Sequence, residues 1–214
     1  MNLGEFKQQL KDNIRRGDSL DAVIPGFIRQ AALWLERNRT MNYMRKFAEI
    51  TIDPDVDDAP RYVSLEDTRI KSIQFFRWTG QAGITADDNG YLYMQMKDPR
   101  DFPQLTTGIP AFYYPNGVSS MVLSATPDQV LNGELWCARY SAWPTADSAT
   151  HWLMDNAEDV LEARAMMNMA KHARDPDMRA HWKTVLDDGL IGLYAAEDEF
   201  MLENTELVME YGGN

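Results

Sequence analysis

The sequence predicts an α+β protein: an N-terminal helical pair and a long C-terminal helical pair forming a bundle, with a small antiparallel β domain between them. Three observations carry this expectation. Apolar residues recur at helical spacing through residues 1–46 and again through 146–204. Between them, from 47 to 145, the period shifts to alternation, interrupted by Gly, Pro and Asn-Gly turn signals. Residues 205–214 leave the helical pattern and read as an extended tail.

Leu3, Phe6, Leu10 and Ile14 make the first helix, which should stop near Gly17. Asp18 or Ser19 can cap the next helical segment. The second helix is the stretch Ile24 to Arg39, with Pro25 in its first turn, where a missing N–H costs nothing. Ile24, Phe27, Ile28, Ala31 and Leu35 share one narrow face, and Arg29, Gln30, Glu36 and Arg37 take the other. Leu33 falls among the polar residues, opposite the stripe. It is either a singly exposed leucine, which is ordinary, or a contact for a second partner.

Phe47 to Ile52 alternates as a half-buried strand does, and Asp53-Pro54-Asp55 starts the turn that ends it. The carboxylates of Asp53, Asp55 and Asp57 have the spacing of a calcium loop. Such a loop also needs Gly at its sixth position and Glu at its twelfth. Asp58 and Ser64 stand there, so a solvated turn is expected. Tyr62–Leu65 is a short extended piece, and Arg69–Trp78 a central strand rich in aromatic residues. Gly80, Gly83 and Asp88-Asn89-Gly90 break the chain before a strand from Tyr91 to Met96. Asp98–Asp101 is a loop or a single helical turn. Phe112–Tyr114, Met121–Leu123 and Leu135–Ala142 are three more strands, the last two separated by a loop reaching Gly133.

Helices return where Asp155 or Asn156 can cap a segment running to Ala173. Met166, Met167 and Met169 widen its apolar surface, suiting either core filling or an adaptable binding surface. Asp175-Pro176 restarts the chain with a cap and a first-turn proline. Met178, Trp182, Val185, Gly189, Leu193, Ala196 and Phe200 then form one stripe, with Leu186, Leu190, Tyr194 and Met201 beside it. Two stripes imply two partners. Gly189 and Gly192 each cost about 1 kcal/mol inside a helix relative to Ala, which close backbone approach or a kink would explain. The helix should end near Asn204.

Charge is unevenly spread. The chain carries −12 overall, yet residues 1–46 hold nine Lys/Arg against five Asp/Glu. No Lys or Arg follows Lys183, while Asp187, Asp188, Glu197, Asp198, Glu199, Glu203, Glu206 and Glu210 do. Such a surface opposes a grip on nucleic acid, which needs clustered cations on the phosphates. It also serves, more plainly, to keep a protein soluble. No apolar run approaches the roughly 20 residues of a membrane span, and no secretion signal is visible at Met1. The single Cys137 excludes an internal disulfide, fits a reducing compartment and sits where a small core residue is expected.

No catalytic or metal-binding constellation and no cofactor motif emerges. His151, His172 and His181 lack metal-pair spacing and are expected at the surface or its boundary. There is no GxSxG, P-loop or GxGxxG sequence. The residues alone therefore indicate a non-enzymatic interaction protein with more apolar helix surface than one monomer needs.

Across most of its length the chain resembles the head-to-tail adaptor, or head completion, proteins of short-tailed bacteriophages. The residues that carry this are Ile24-Pro25 with Phe27-Ile28 opening a helix to Arg39, then Met41 to Met44. Tyr62-Val63-Ser64-Leu65 comes next, ahead of the strand at Arg69, and then Gly108-Ile109-Pro110-Ala111-Phe112-Tyr113-Tyr114. Leu123 to Asp128, Tyr140-Ser141-Ala142-Trp143-Pro144 and Trp152-Leu153 complete the series. One departure is the absence of Pro after Leu65, where such proteins often carry a Leu-Pro step.

The resemblance implies a virion protein, made in the host cytoplasm and placed at the head–tail junction. It implies a ring of twelve copies under the portal protein and above the tail nozzle or tube proteins. DNA would pass through without sequence-specific binding, and no membrane would be involved. On that footing Leu207, Val208, Met209 and Tyr211 of the tail are the expected portal contact, as an added strand or an extended arm. Arg29, Leu33, Arg37, Leu190 and Tyr194 are expected at the subunit interface. Asp187, Asp188, Glu197 and Glu199 are expected to line the channel, where they would repel the passing phosphates. Two other readings stay open: a more distal tail-tube or nozzle subunit, and a small-ligand module with a sugar or peptide groove built from Trp78, Tyr91 and Tyr93.

Overall fold

A computed structural model describes residues 1–14, 22–55, 61–65, 69–79, 91–103, 106–117 and 120–203, the side chains of 201–203 aside. The chain is α+β and divides into two compact units. One takes in residues 1–43 and the chain from 142 onward, and the other runs Met44–Ser141.

The first unit is helical. Helix α1, Leu3–Ile14, buries Leu3, Phe6 and Leu10 at the spacing that predicted it. Its start is held by the N–H groups of Leu3 and Gly4, which donate to the carbonyls of Ala149 and Asp147, both at 2.9 Å. Gly17, Asp18 and Ser19 lie outside the described residues. Helix α2, Ile24–Asn38, has Pro25 in its first turn as expected. The residue before it is Val23, so the helix starts with no side-chain cap. Ile24, Ile28, Ala31, Ala32 and Leu35 are buried. Glu36 is the exception to the polar face, at 1% exposed.

The late helices begin differently from the expectation. A short α3, Trp152–Asn156, ends at Ala157, whose N–H is held by the carbonyl of Leu153, and α4, Glu158–Ala173, follows. Asn156 therefore does not cap α4; its side chain donates back to the Trp152 carbonyl at 3.0 Å. Helix α4 packs against both α2 and the helix that follows it, α5 (Pro176–Glu203). It buries residues around most of its circumference, including Met166, Met167 and Met169. Core filling is thus the use of these methionines. It ends at Arg174, in the left-handed region at φ 56°. Helix α5, Pro176–Glu203, is one element of 28 residues, about 42 Å long. Asp175 caps it, accepting the N–H of Met178 at 3.0 Å. Its buried line is Leu186, Leu193 and Glu197, which runs between the two expected stripes.

Among the described residues, the second unit is two four-stranded sheets. Strands β1 (Arg45–Ile52), β3 (Ile70–Thr79), β4 (Tyr91–Tyr93) and β8 (Leu131–Arg139) form one, in the order β1-β8-β3-β4. Strands β2 (Tyr62–Ser64), β5 (Gln95–Met96), β6 (Phe112–Pro115) and β7 (Ser120–Leu123) form the other, in the order β2-β7-β6-β5. The expected single strand from Tyr91 to Met96 is split at Met94, because the chain passes from one sheet to the other there. Between the described strands, pairing is antiparallel except for the two-residue β5–β6 contact, which is parallel. Pro99–Asp101 is the single helical turn, started by the Asp98 carboxylate accepting the Arg100 N–H.

Side chains from both sheets share one core: Ile50, Ile52, Phe76, Trp78, Leu131, Leu135 and Cys137 from the first, with Val63, Tyr113, Met121 and Leu123 from the second. Each large apolar side chain removed from water contributes roughly 1.5–3 kcal/mol. Strand β8 starts at Leu131, four residues before the expected start, so Gly133 is a strand residue and not a loop residue. The reason is steric. An added Cβ at Gly133 would lie 2.8 Å from ring carbons of Phe76 and Trp78.

Candidate functional site

Surfaces that face outward are the candidate sites, and both units present them. In the helical unit, Arg29 and Arg37 are exposed and Leu33 is half-buried, spaced along one face of α2. Among the described residues no ion pair engages either arginine. Leu190 and Tyr194 are half-buried. Tyr194 lies under the Arg39 guanidinium, 4.5 Å from ring centroid to cation, so part of it is engaged within the chain.

The acidic set on α5 separates by environment. Asp187 is exposed and pairs with Lys183 one turn back. Asp198 pairs with Arg39. Glu197 is a correction to the channel-lining set. It is only 8% exposed, and its carboxylate accepts the backbone N–H of Asn42 at 2.7 Å, so it braces the segment after α2. Asp188 and Glu199 are exposed. Beside Asp188 a cleft of about 620 Å³ is floored by Val185, Gly189, Gly192, Leu193 and Ala196, with Asn156 and Asp159 across from it. Gly189 sits at a close approach, where an added Cβ would lie 3.0 Å from Val160 and 3.2 Å from Asp159. At Gly192, among the described residues, an added Cβ meets nothing within 4 Å. Ile191 and Phe200 add exposed apolar surface at 71% and 53%.

The second surface is the outer face of the β1-β8-β3-β4 sheet. Register places Phe47 opposite Trp136, and Trp136 opposite Phe75. The rings meet in sequence: Phe47 to Trp136 at 5.6 Å, Trp136 to Phe75 at 5.9 Å, and Phe75 to Tyr93 at 6.1 Å. A second row crosses the same face as Glu49, Glu134, Arg77 and Tyr93. Arg77 is fixed there by Glu134 at 2.5 Å, and its guanidinium stacks 3.6 Å from the Tyr91 ring. Thr51, Asn132, Thr79 and Tyr91 make a third row. Of the three residues in the expected groove, Tyr91 and Tyr93 belong to this face. Trp78 does not: it is fully buried, donating its indole N–H to the Pro110 carbonyl at 2.9 Å. The aromatic row escapes a linear reading because its members come from distant strands. The signal was present only as alternate positions, Phe47 with Glu49 and Glu134 with Trp136.

A buried polar cluster in the helical unit gave no sequence signal. Tyr43 donates its hydroxyl to Glu36 at 2.9 Å and stacks on Trp152 at 4.6 Å. His151 lies edge-on to Tyr43 and against Trp143. It is buried, not at the surface, and its Nδ1 caps α3 by accepting the Leu153 N–H at 3.2 Å. Burial holds its pKa below the usual value, against the pull of Glu36 and Asp155. Rings and carboxylates thus meet at the start of α3, which His151 caps.

Cys137 is buried in the sheet core as expected. Among the described residues, no three His, Cys, Asp or Glu side chains converge to hold a metal ion, and no helix is long and apolar enough to cross a membrane. Leu207, Val208, Met209 and Tyr211 lie outside the described residues. No protein-family model matches the chain, and no curated protein does either.

Proposed function

We propose that the chain is a structural virion subunit: a head-to-tail adaptor that forms a ring under the portal, joins capsid to tail and lets DNA pass. The observation that carries the reading is that contact surface is present on both units. The outer sheet face offers Phe47, Trp136, Phe75 and Tyr93, and α5 offers Ile191. Aromatic and Arg side chains of this kind dominate the energetics of protein interfaces. A protein that must hold neighbours and a second component at once needs several such faces. The outward carboxylates Asp187, Asp188 and Glu199 suit a surface near DNA that must not trap it, since phosphate binding needs clustered cations.

The test is to mix the purified chain with the portal protein of the virus that encodes it. Native mass and negative-stain imaging should give a ring of this chain stacked on the portal. Folded chain that ignores the portal at physiological salt would move the assignment to a more distal tail-tube or nozzle component.

A further inference from the structure

We propose that the α5 groove around Gly192 receives the outward face of α2, centred on Leu33, from a second copy of this chain. The proposal rests on the ring reading for its setting. Two independent observations lead to it. One is Gly192 itself. A glycine within a helix is costly relative to Ala, and among the described residues nothing lies within 4 Å of a Cβ added at Gly192. A backbone left bare beside a cleft of about 620 Å³ fits an approaching helix, which needs small residues where it crosses closely.

The other observation is charge. Among the described residues, Asp187, Glu197 and Asp198 have partners within the chain, while no ion pair engages Asp188 or Glu199. Those two carboxylates flank Gly192 on the outward side of α5. On α2, Arg29 and Arg37 flank Leu33 four residues to either side, while Asp188 and Glu199 stand four residues before and seven after Gly192. At 1.5 Å per residue the arginines span about 12 Å and the carboxylates about 16 Å, a difference extended Arg and Glu side chains can bridge. Leu33 then enters the apolar floor of Gly189, Gly192 and Ala196. The arginines meet carboxylates at both ends of the groove.

Helix α4 packs against both α2 and α5, and the two faces lie on different helices of the same unit. The contact is heterologous: each copy uses α2 toward one neighbour and α5 toward the other. Such contacts propagate, and they close into a ring when the rotation allows.

The experiment is cysteine crosslinking of the full chain at high concentration, without portal. The native Cys137 is buried and stays silent. A chain carrying both Leu33→Cys and Gly192→Cys should oxidise to a covalent ladder of dimers, trimers and larger species. Either substitution alone should stop at the dimer or remain monomeric. Adding Arg29→Glu and Arg37→Glu should abolish the ladder, and further adding Asp188→Arg and Glu199→Arg should restore it. A folded double-cysteine chain with no species beyond the dimer would overturn the proposal. So would a ladder that ignores the charge reversals. Neither result depends on the portal, so failure here and failure of portal binding are told apart.

Discussion

At His151, burial and a hydrogen bond favour the same protonation state. Its Nδ1 accepts an N–H, so a proton placed there would turn an acceptor against a donor. The imidazole pKa in the folded chain lies below the unfolded value of about 6.5. A group depressed in this way binds its proton more readily in the unfolded chain. Its contribution to stability is therefore present above about pH 6.5 and is lost as pH falls toward the folded pKa. Asn at an N-cap accepts the same bond and does not titrate in this range. His151→Asn should consequently show a shallower fall in melting temperature than the wild type between about pH 7.5 and 5.5. Equal slopes would remove His151 from the pH response. Gly133 is the second residue with a sharp expectation. A methyl group there meets the rings of Phe76 and Trp78 at 2.8 Å. Gly133→Ala should destabilise the chain by about 1–3 kcal/mol in denaturant titration, the range for overpacked cores.

Among the elements, α5 shows what a sequence discloses and what it hides. Its start, its length and its approach at Gly189 were legible because Asp175-Pro176, the apolar period and the helix cost of glycine are local signals. Its buried side was not. The period offered two stripes, and the structure buries a line between them that includes Glu197, because the Asn42 N–H supplies that carboxylate with a partner remote in sequence. The same limit explains Glu36, which helical geometry assigns to the polar face and Tyr43 draws inward. Strands were legible where alternation was clean, as in β1. The extension of β8 through Gly133 was hidden, since a glycine reads as a break until the rings above it are known. The outward faces of α2 and α5 were partly legible: Arg29, Leu33 and Arg37 stood out by position, while the cleft at Gly192 requires α4 beside it. Gly192→Ala should stabilise the isolated chain by up to about 1 kcal/mol, since open space surrounds the new methyl group. A loss of stability in thermal unfolding would show that the glycine serves the fold itself.

For the whole molecule, the central claim is that the chain works by assembling. It places apolar and aromatic surface on the helical unit and on the β unit, and it keeps its strongest acidic excess on the last helix. The most direct measurement is the mass of the complex formed at physiological salt when the full chain is mixed with the portal protein of the virus proposed to encode it. The predicted result is a discrete species with many copies of the chain per portal, seen as a stacked ring. A folded chain that leaves the portal at its own mass would contradict it.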